Sequence, residues 1–196
     1  FVSHNMAAVK SLCTRGIVME NGMMAFDGAI DKALDKYNSQ NELKKSKVSW
    51  SKTEAPGNDK AIIKSVNVFS ESGFNYIEED VFLEVIFENL IAQQVLNVSI
   101  SIFDDKENYL IASPNLKREK LKEGVFRSVC KLNKDTFNTG IYYFSVLLIG
   151  DNFELIVELE KIVSIEFQEE GTKRANFFDI WSGSLRPYFD WSNAEV

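Results

Sequence analysis

A chain of 196 residues with 45% apolar and 26% charged side chains is long enough for one full core plus a small appendage, and its balance excludes wholesale disorder and a membrane-embedded fold. Its 22 basic and 29 acidic residues leave a net charge of −7, which argues against nucleic acid or anionic lipid as a partner, since both need a cationic surface. The best basic run, LKREKLK at 116–122, reads as a solvated loop.

In chain order, Asn5 to Cys13 suits a short helix. RGIVMENGMMAF then reads as strand, turn and strand, with Asn21-Gly22 supplying the positive φ angles of a two-residue hairpin turn. The period then changes: Ile30, Ala33, Leu34 and Tyr37 recur at i, i+3, i+4 and i+7, placing one apolar face on a helix that ends near Tyr37. Residues 1–40 are therefore expected to form one small unit. A polar stretch punctuated by Pro56 and Gly57 follows, and 41–60 reads as a linker.

From 61 to 196 the helical period disappears. Seven β-rich runs take over, separated by polar turns: AIIKSVNVF, VFLEVIFENL, VLNVSISIF, VFRSVCKL, GIYYFSVLLI, FELIVELEKI and VSIEFQ. Their number and spacing predict an all-β, immunoglobulin-like antiparallel β-sandwich, with a closed barrel as the alternative. Alternation assigns the faces. Val81, Leu83, Val85 and Phe87 belong to the core while Glu84 and Glu88 face out; Val98, Ile100 and Ile102 are core while Asn97, Ser99 and Ser101 face out. The fifth run is apolar on both faces, with Tyr142, Phe144, Val146 and Leu148 on one side and Ile141, Tyr143, Leu147 and Ile149 on the other. Such a strand needs its outer face covered by a neighbour, a ligand or a second subunit.

Cys13 and Cys130 fall in different segments without metal-ligand spacing, which suits a reducing compartment. The longest apolar run, GIYYFSVLLIG, is half a bilayer span and is bounded by glycines. With no secretory signal in the sequence, the sequon at Asn97 is expected to carry no sugar.

The opening FVSHNMAAVKSLCTRGIVMENG resembles the switch-histidine segment of ABC-transporter ATP-binding subunits, where Ser-His ends a strand and a helix and hairpin follow. The resemblance covers about 28 residues and implies that His4 matches the histidine that contacts the γ-phosphate. The GxxxxGK[ST] loop, the magnesium aspartate and the family's signature motif do not occur in the chain. No catalytic residue is therefore assigned, and His4 reads as a surface histidine. The expectation is the C-terminal part of a longer subunit whose ATP and Mg would bind elsewhere; this part itself has no cofactor.

The larger half resembles the appended domain of Wzt-type exporters of O-antigen polysaccharide. The resemblance is carried by GAIDKALDKY, by the aspartate turn and Asn of FDDKENYLIASPN, and by the Gly-x-Tyr strand of LNKDTFNTGIYYFSVLL. DDKEN departs from the pattern by lacking the usual turn glycine. The resemblance implies a cytoplasmic carbohydrate-binding module that recognises the non-reducing, often capped end of a lipid-linked glycan. It also implies a homodimer, peripheral to the inner membrane through a transmembrane subunit of the exporter.

Sugars are held by rings under their C–H faces and by hydroxyl, amide or guanidinium groups at their edges. If the third and fifth runs share a sheet, Asn97, Ser99, Ser101, Tyr143 and Ser145 form one outward surface, the candidate carbohydrate site. Arg127, with Lys131, is the candidate for an anionic cap. The plainer readings are a solvent face or dimer contact for the first group and solvated cations for the second. Tyr142 reads as a tyrosine-corner or core residue. The tail, with Trp181, Tyr188 and Trp191, should dock on its own or a neighbouring sandwich, and Trp50 should anchor the linker. No metal site is expected, because Lys106 occupies a ligand position of a calcium-type loop in DDKEN. With one histidine and no nucleophile–base pair, an enzyme is not expected either; Glu78-Glu79 and Glu169-Glu170 read as turn residues rather than glycosidase carboxylates. The alternative to glycan binding is a structural module that dimerises the transporter.

Overall fold

The hairpin expected at Asn21-Gly22 forms. Strands β1 (Arg15–Glu20) and β2 (Met23–Ala29) pair antiparallel with Glu20 opposite Met23, and Gly22 takes a φ of +80°, a conformation open to glycine at little cost. A computed structural model describes the chain over residues 9–169, apart from 11, 21, 41–44 and 118, and again over 182–187. Val9, Lys10 and Leu12 are helical; His4 lies outside the described residues. Helix α1 (Ile30–Gln40) runs three residues past Tyr37. It packs on β1 at Gly16, where a Cβ would stand 2.6 Å from that of Ala33, so only glycine permits this approach.

The sandwich comprises β3 (Lys47–Ser49), β4 (Ala61–Ser70), β5 (Val81–Asn89), β7 (Asn97–Asp104), β8 (Tyr109–Pro114), β10 (Gly124–Leu132), β11 (Gly140–Ile149) and β12 (Leu155–Phe167). The two-residue strands β6 (Gln94–Val95) and β9 (Lys120–Leu121) pair beside it. One sheet has the order β10-β5-β4-β3 and the other β12-β11-β7-β8, with antiparallel ladders throughout. Hairpin partners stay within a sheet while the chain crosses between layers after β5, β8 and β10, which is the immunoglobulin-like arrangement. Period-two alternation delivers one face of each strand to a single core: Leu83, Val85, Val98, Ile100, Ile102, Tyr142, Phe144, Val146 and Leu148 are all buried. No helix among the described residues is long and apolar enough to cross a membrane.

Three details differ from the alternation pattern. FELIVELEKI and VSIEFQ are one strand, β12, interrupted by a bulge. Phe144 pairs with Val163 and Val146 with Leu159, so Glu160, Lys161 and Ile162 stand against Ser145 alone, and the inserted residues break the phase that alternation relies on. β8 was not among the expected runs; it is a short edge strand ending at Pro114, weak in pattern for that reason. Within the expected linker, β3 pairs with β4 and Trp50 packs against the core, its backbone N–H donating to the carbonyl of Lys64 at 3.0 Å.

Candidate functional site

The register of β7 against β11 places Asn97 opposite Ile149, Ser99 opposite Leu147, Ser101 opposite Ser145 and Phe103 opposite Tyr143. Asn97, Ser99, Ser101, Tyr143 and Ser145 therefore share the outer face of one sheet. They do not share one environment. Ser145 is buried under the β12 bulge, and its Oγ accepts the backbone N–H of Lys161 at 2.9 Å. The Asn97 amide lies against the carbonyls of Asn115, at 3.1 Å, and Lys117, tying β7 to the end of β8. Ser99, Ser101 and Tyr143 are all half-buried.

Around Ser101 the face dips into a cavity of about 270 Å³, lined also by Phe103, Tyr109, Ser145, Glu158, Glu160 and Lys161. Tyr109 is 58% exposed, and Phe103 meets its ring edge-on at a centroid distance of 5.2 Å. The Tyr109 hydroxyl is 3.4 Å from Ser101 Oγ. Lys161 Nζ reaches Glu107 at 2.8 Å and lies 5.4 Å from the Phe103 ring centre, and this ammonium holds the Glu107 carboxyl below its usual range. A ring edged by hydroxyl, carboxylate and ammonium groups suits an apolar-faced, hydroxyl-edged ligand. Sequence reasoning missed Phe103 and Tyr109. Phe103 continues the outward phase of Ser99 and Ser101 and was legible on that count, whereas Tyr109 needed β8 and its pairing.

The turn that carries Tyr109 is held by Asp104. Its Oδ1 accepts the N–H groups of Lys106 (2.9 Å) and Asn108 (2.8 Å), while Oδ2 accepts Asn108 Nδ2 (2.8 Å) and Ser184 Oγ (2.9 Å). These bonds, led by that from the Asn108 side chain, lower its pKa to about 2 against the opposing effect of burial. Where the turn lacks glycine, Glu107 takes a φ of +65°. Beside it, residues 182–187 dock on the β10–β11 connection: Asn138 N–H donates to Ser184 O (3.0 Å), Arg186 N–H to Thr136 O (2.8 Å), and Leu185 bridges Phe137. The Tyr142 hydroxyl sits 2.6 Å from the Ser184 carbonyl and 3.1 Å from that of Asn138, four residues upstream. This is the tyrosine-corner geometry at the start of β11. Burial pushes the phenol up to about 12, which keeps it a donor. Trp181, Tyr188 and Trp191 lie outside the described residues.

Arg127 is not brought to this face. It projects from the outer side of the other sheet, where it pairs with Glu84; Lys131 pairs nearby with Asp80 at 2.6 Å and Lys64 with Glu88 at 3.3 Å. A second opening of about 410 Å³ runs between the edge strands β8 and β10, with Lys117 and Arg127 at its rim and core residues Leu83, Val85, Val98 and Ile100 as its floor. It is the unsealed margin of the sandwich and has no aromatic ring in its lining. Among the described residues no group of three His, Cys, Asp or Glu side chains could hold a metal.

Among solved structures, the C-terminal domain of Wzt superposes with a TM-score of 0.57, covering 82% of this chain and 96% of that domain at 11% sequence identity. The chain has the fold of the Wzt C-terminal domain. A putative ApaA protein from Bordetella pertussis (15% identity, covering 58% of this chain and 96% of its own) and the Bacteroides uniformis β-glucuronidase 2 (16%, covering 52% and 12%) both reach a TM-score of 0.32, too low to support an argument. No family model and no curated protein matches the sequence. The likeness to the Wzt domain is thus one of architecture.

Proposed function

We propose that this chain is the carbohydrate-binding part of an ABC exporter of O-antigen polysaccharide, and that it holds the non-reducing end of the lipid-linked glycan on the outer face of the β12-β11-β7-β8 sheet. The observation that carries the reading is the exposed Tyr109 ring beside Ser101 and Lys161 in a shallow cavity, on a sandwich with the fold of the Wzt C-terminal domain. A sheet presents a ring and hydrogen-bonding groups at fixed spacing, which is what a sugar's apolar face and polar edge require. In this proposal the domain is non-catalytic and sits at the cytoplasmic side of the inner membrane. A transmembrane subunit is its partner, and two copies serve one transporter. ATP and magnesium act in the nucleotide-binding domain of the complete protein.

The test is a binding titration of the chain with the host polysaccharide, intact and with its terminal residues removed. Saturable binding of the intact glycan, lost on trimming, is the expected result; absence of binding to both removes the sugar reading. A second reading has its own support: Ile141, Tyr143, Leu147 and Ile149 form a half-buried apolar row along β11 on this same face, suited to a copy of the chain. In that case Tyr143→Ala weakens self-association, measured by sedimentation, and glycan binding is undetectable in both proteins.

A further inference from the structure

We infer that the Tyr109 cavity takes a neutral or amine-bearing sugar and turns away one that carries phosphate or carboxylate. The inference rests on the carbohydrate reading of this face and narrows it to a substrate class. The Lys161 ammonium is engaged by Glu107 at 2.8 Å, so this pair brings no net charge to the cavity. Glu158 and Glu160 line the same cavity, both exposed, and neither belongs to an ion pair among the described residues.

The wall therefore carries two uncompensated negative charges, and the chain's net charge of −7 has the same sign. A sugar hydroxyl or ammonium within reach donates hydrogen bonds to these carboxylates, and charge assistance shortens and strengthens such bonds. A phosphate set about 5 Å from both would be disfavoured about tenfold in a water-like dielectric, and added salt would reduce that penalty. At the β8–β10 opening Arg127 is paired with Glu84, Lys117 stands at the rim, and no ring lines the gap to seat a sugar face.

The experiment is a panel of immobilised oligosaccharides in matched neutral, amino-substituted and phosphorylated forms. The whole chain, its Glu158→Gln/Glu160→Gln variant and its Tyr109→Ala variant are each titrated at low and high salt. Expected are binding of neutral and amino forms, about tenfold weaker binding of phosphorylated ones at low salt, a gap that closes in the double variant and at high salt, and loss of all binding in Tyr109→Ala. Phosphorylated forms binding as tightly as neutral ones, with Tyr109→Ala still abolishing both, overturns the charge selection and leaves the sugar reading in place. Binding of no glycan overturns both. Glycan binding that survives Tyr109→Ala overturns this assignment of the cavity while keeping a sugar-binding domain.

Discussion

The two outer faces of the sandwich rest on the same core and are built differently. On the β10-β5-β4-β3 side, cations and carboxylates satisfy one another: Arg127 with Glu84, Lys131 with Asp80, Lys64 with Glu88. On the β12-β11-β7-β8 side, small hydroxyls, two rings and an apolar row occupy the equivalent positions, and one ring stands exposed. On the first face the charged groups named engage one another and the Phe69 and Phe82 rings lie half-buried against each other at 5.8 Å; on the second an exposed ring and carboxylates stand open to a ligand. A charged side chain on a strand is thus a poor guide to a binding face, because cross-strand neighbours of opposite sign engage it first.

The contrast can be broken at its shared foundation. Phe144 is fully buried between the sheets, so Phe144→Ala should cost about 3–5 kcal/mol and destabilise both faces alike, seen as one lowered denaturant midpoint. Tyr142→Phe removes the hydroxyl that meets the Asn138 and Ser184 carbonyls; a loss of about 1–2 kcal/mol is expected, with residues 182–187 exchanging amide hydrogens faster.

Acid should act on the turn that carries Tyr109. The folded-state pKa of Asp104 is depressed, so its contribution is whole above its ordinary value of 3.8 and is lost as the pH falls through that value toward 2. Wild-type stability should drop over that window relative to Asp104→Asn, and amide exchange in the 104–109 turn should rise with it. The smallest effect is expected from Arg127→Ala. Its side chain is 62% exposed, and an ion pair of this kind contributes about 0–1 kcal/mol. Thermal melts should barely move and glycan titrations should be unchanged; a clear loss of glycan binding would shift the ligand to the opposite face.

Alternation read the sandwich well because sheet faces have a period of two and the core demands apolar groups at every second position. Val81 to Phe87 and Val98 to Ile102 show the rule followed without interruption. Alternation turned Ser99, Ser101 and Tyr143 outward, and the immunoglobulin-like strand arrangement, not alternation, put β7 and β11 in one sheet, as the register now shows. Alternation failed at the β12 bulge, where three residues oppose one, and this failure hid that Ser145 is covered rather than offered. It failed again at β8, whose short pattern ends in proline, and with β8 went Tyr109.

What the amino-acid sequence determined by itself was local and periodic: the hairpin at Gly22, the helix carrying Ala33, the two-layer β architecture and the face each core residue takes. These follow from backbone sterics and from the need to bury apolar groups at a fixed spacing. What only the tertiary structure decided was which polar groups meet. Arg127 finds Glu84, Lys161 finds Glu107, Ser184 finds Asp104, and Tyr109 stands beside Phe103. Each pairing joins segments whose relative register depends on bulges, turns and crossovers, and one residue of slip would turn a whole strand's side chains to the opposite face.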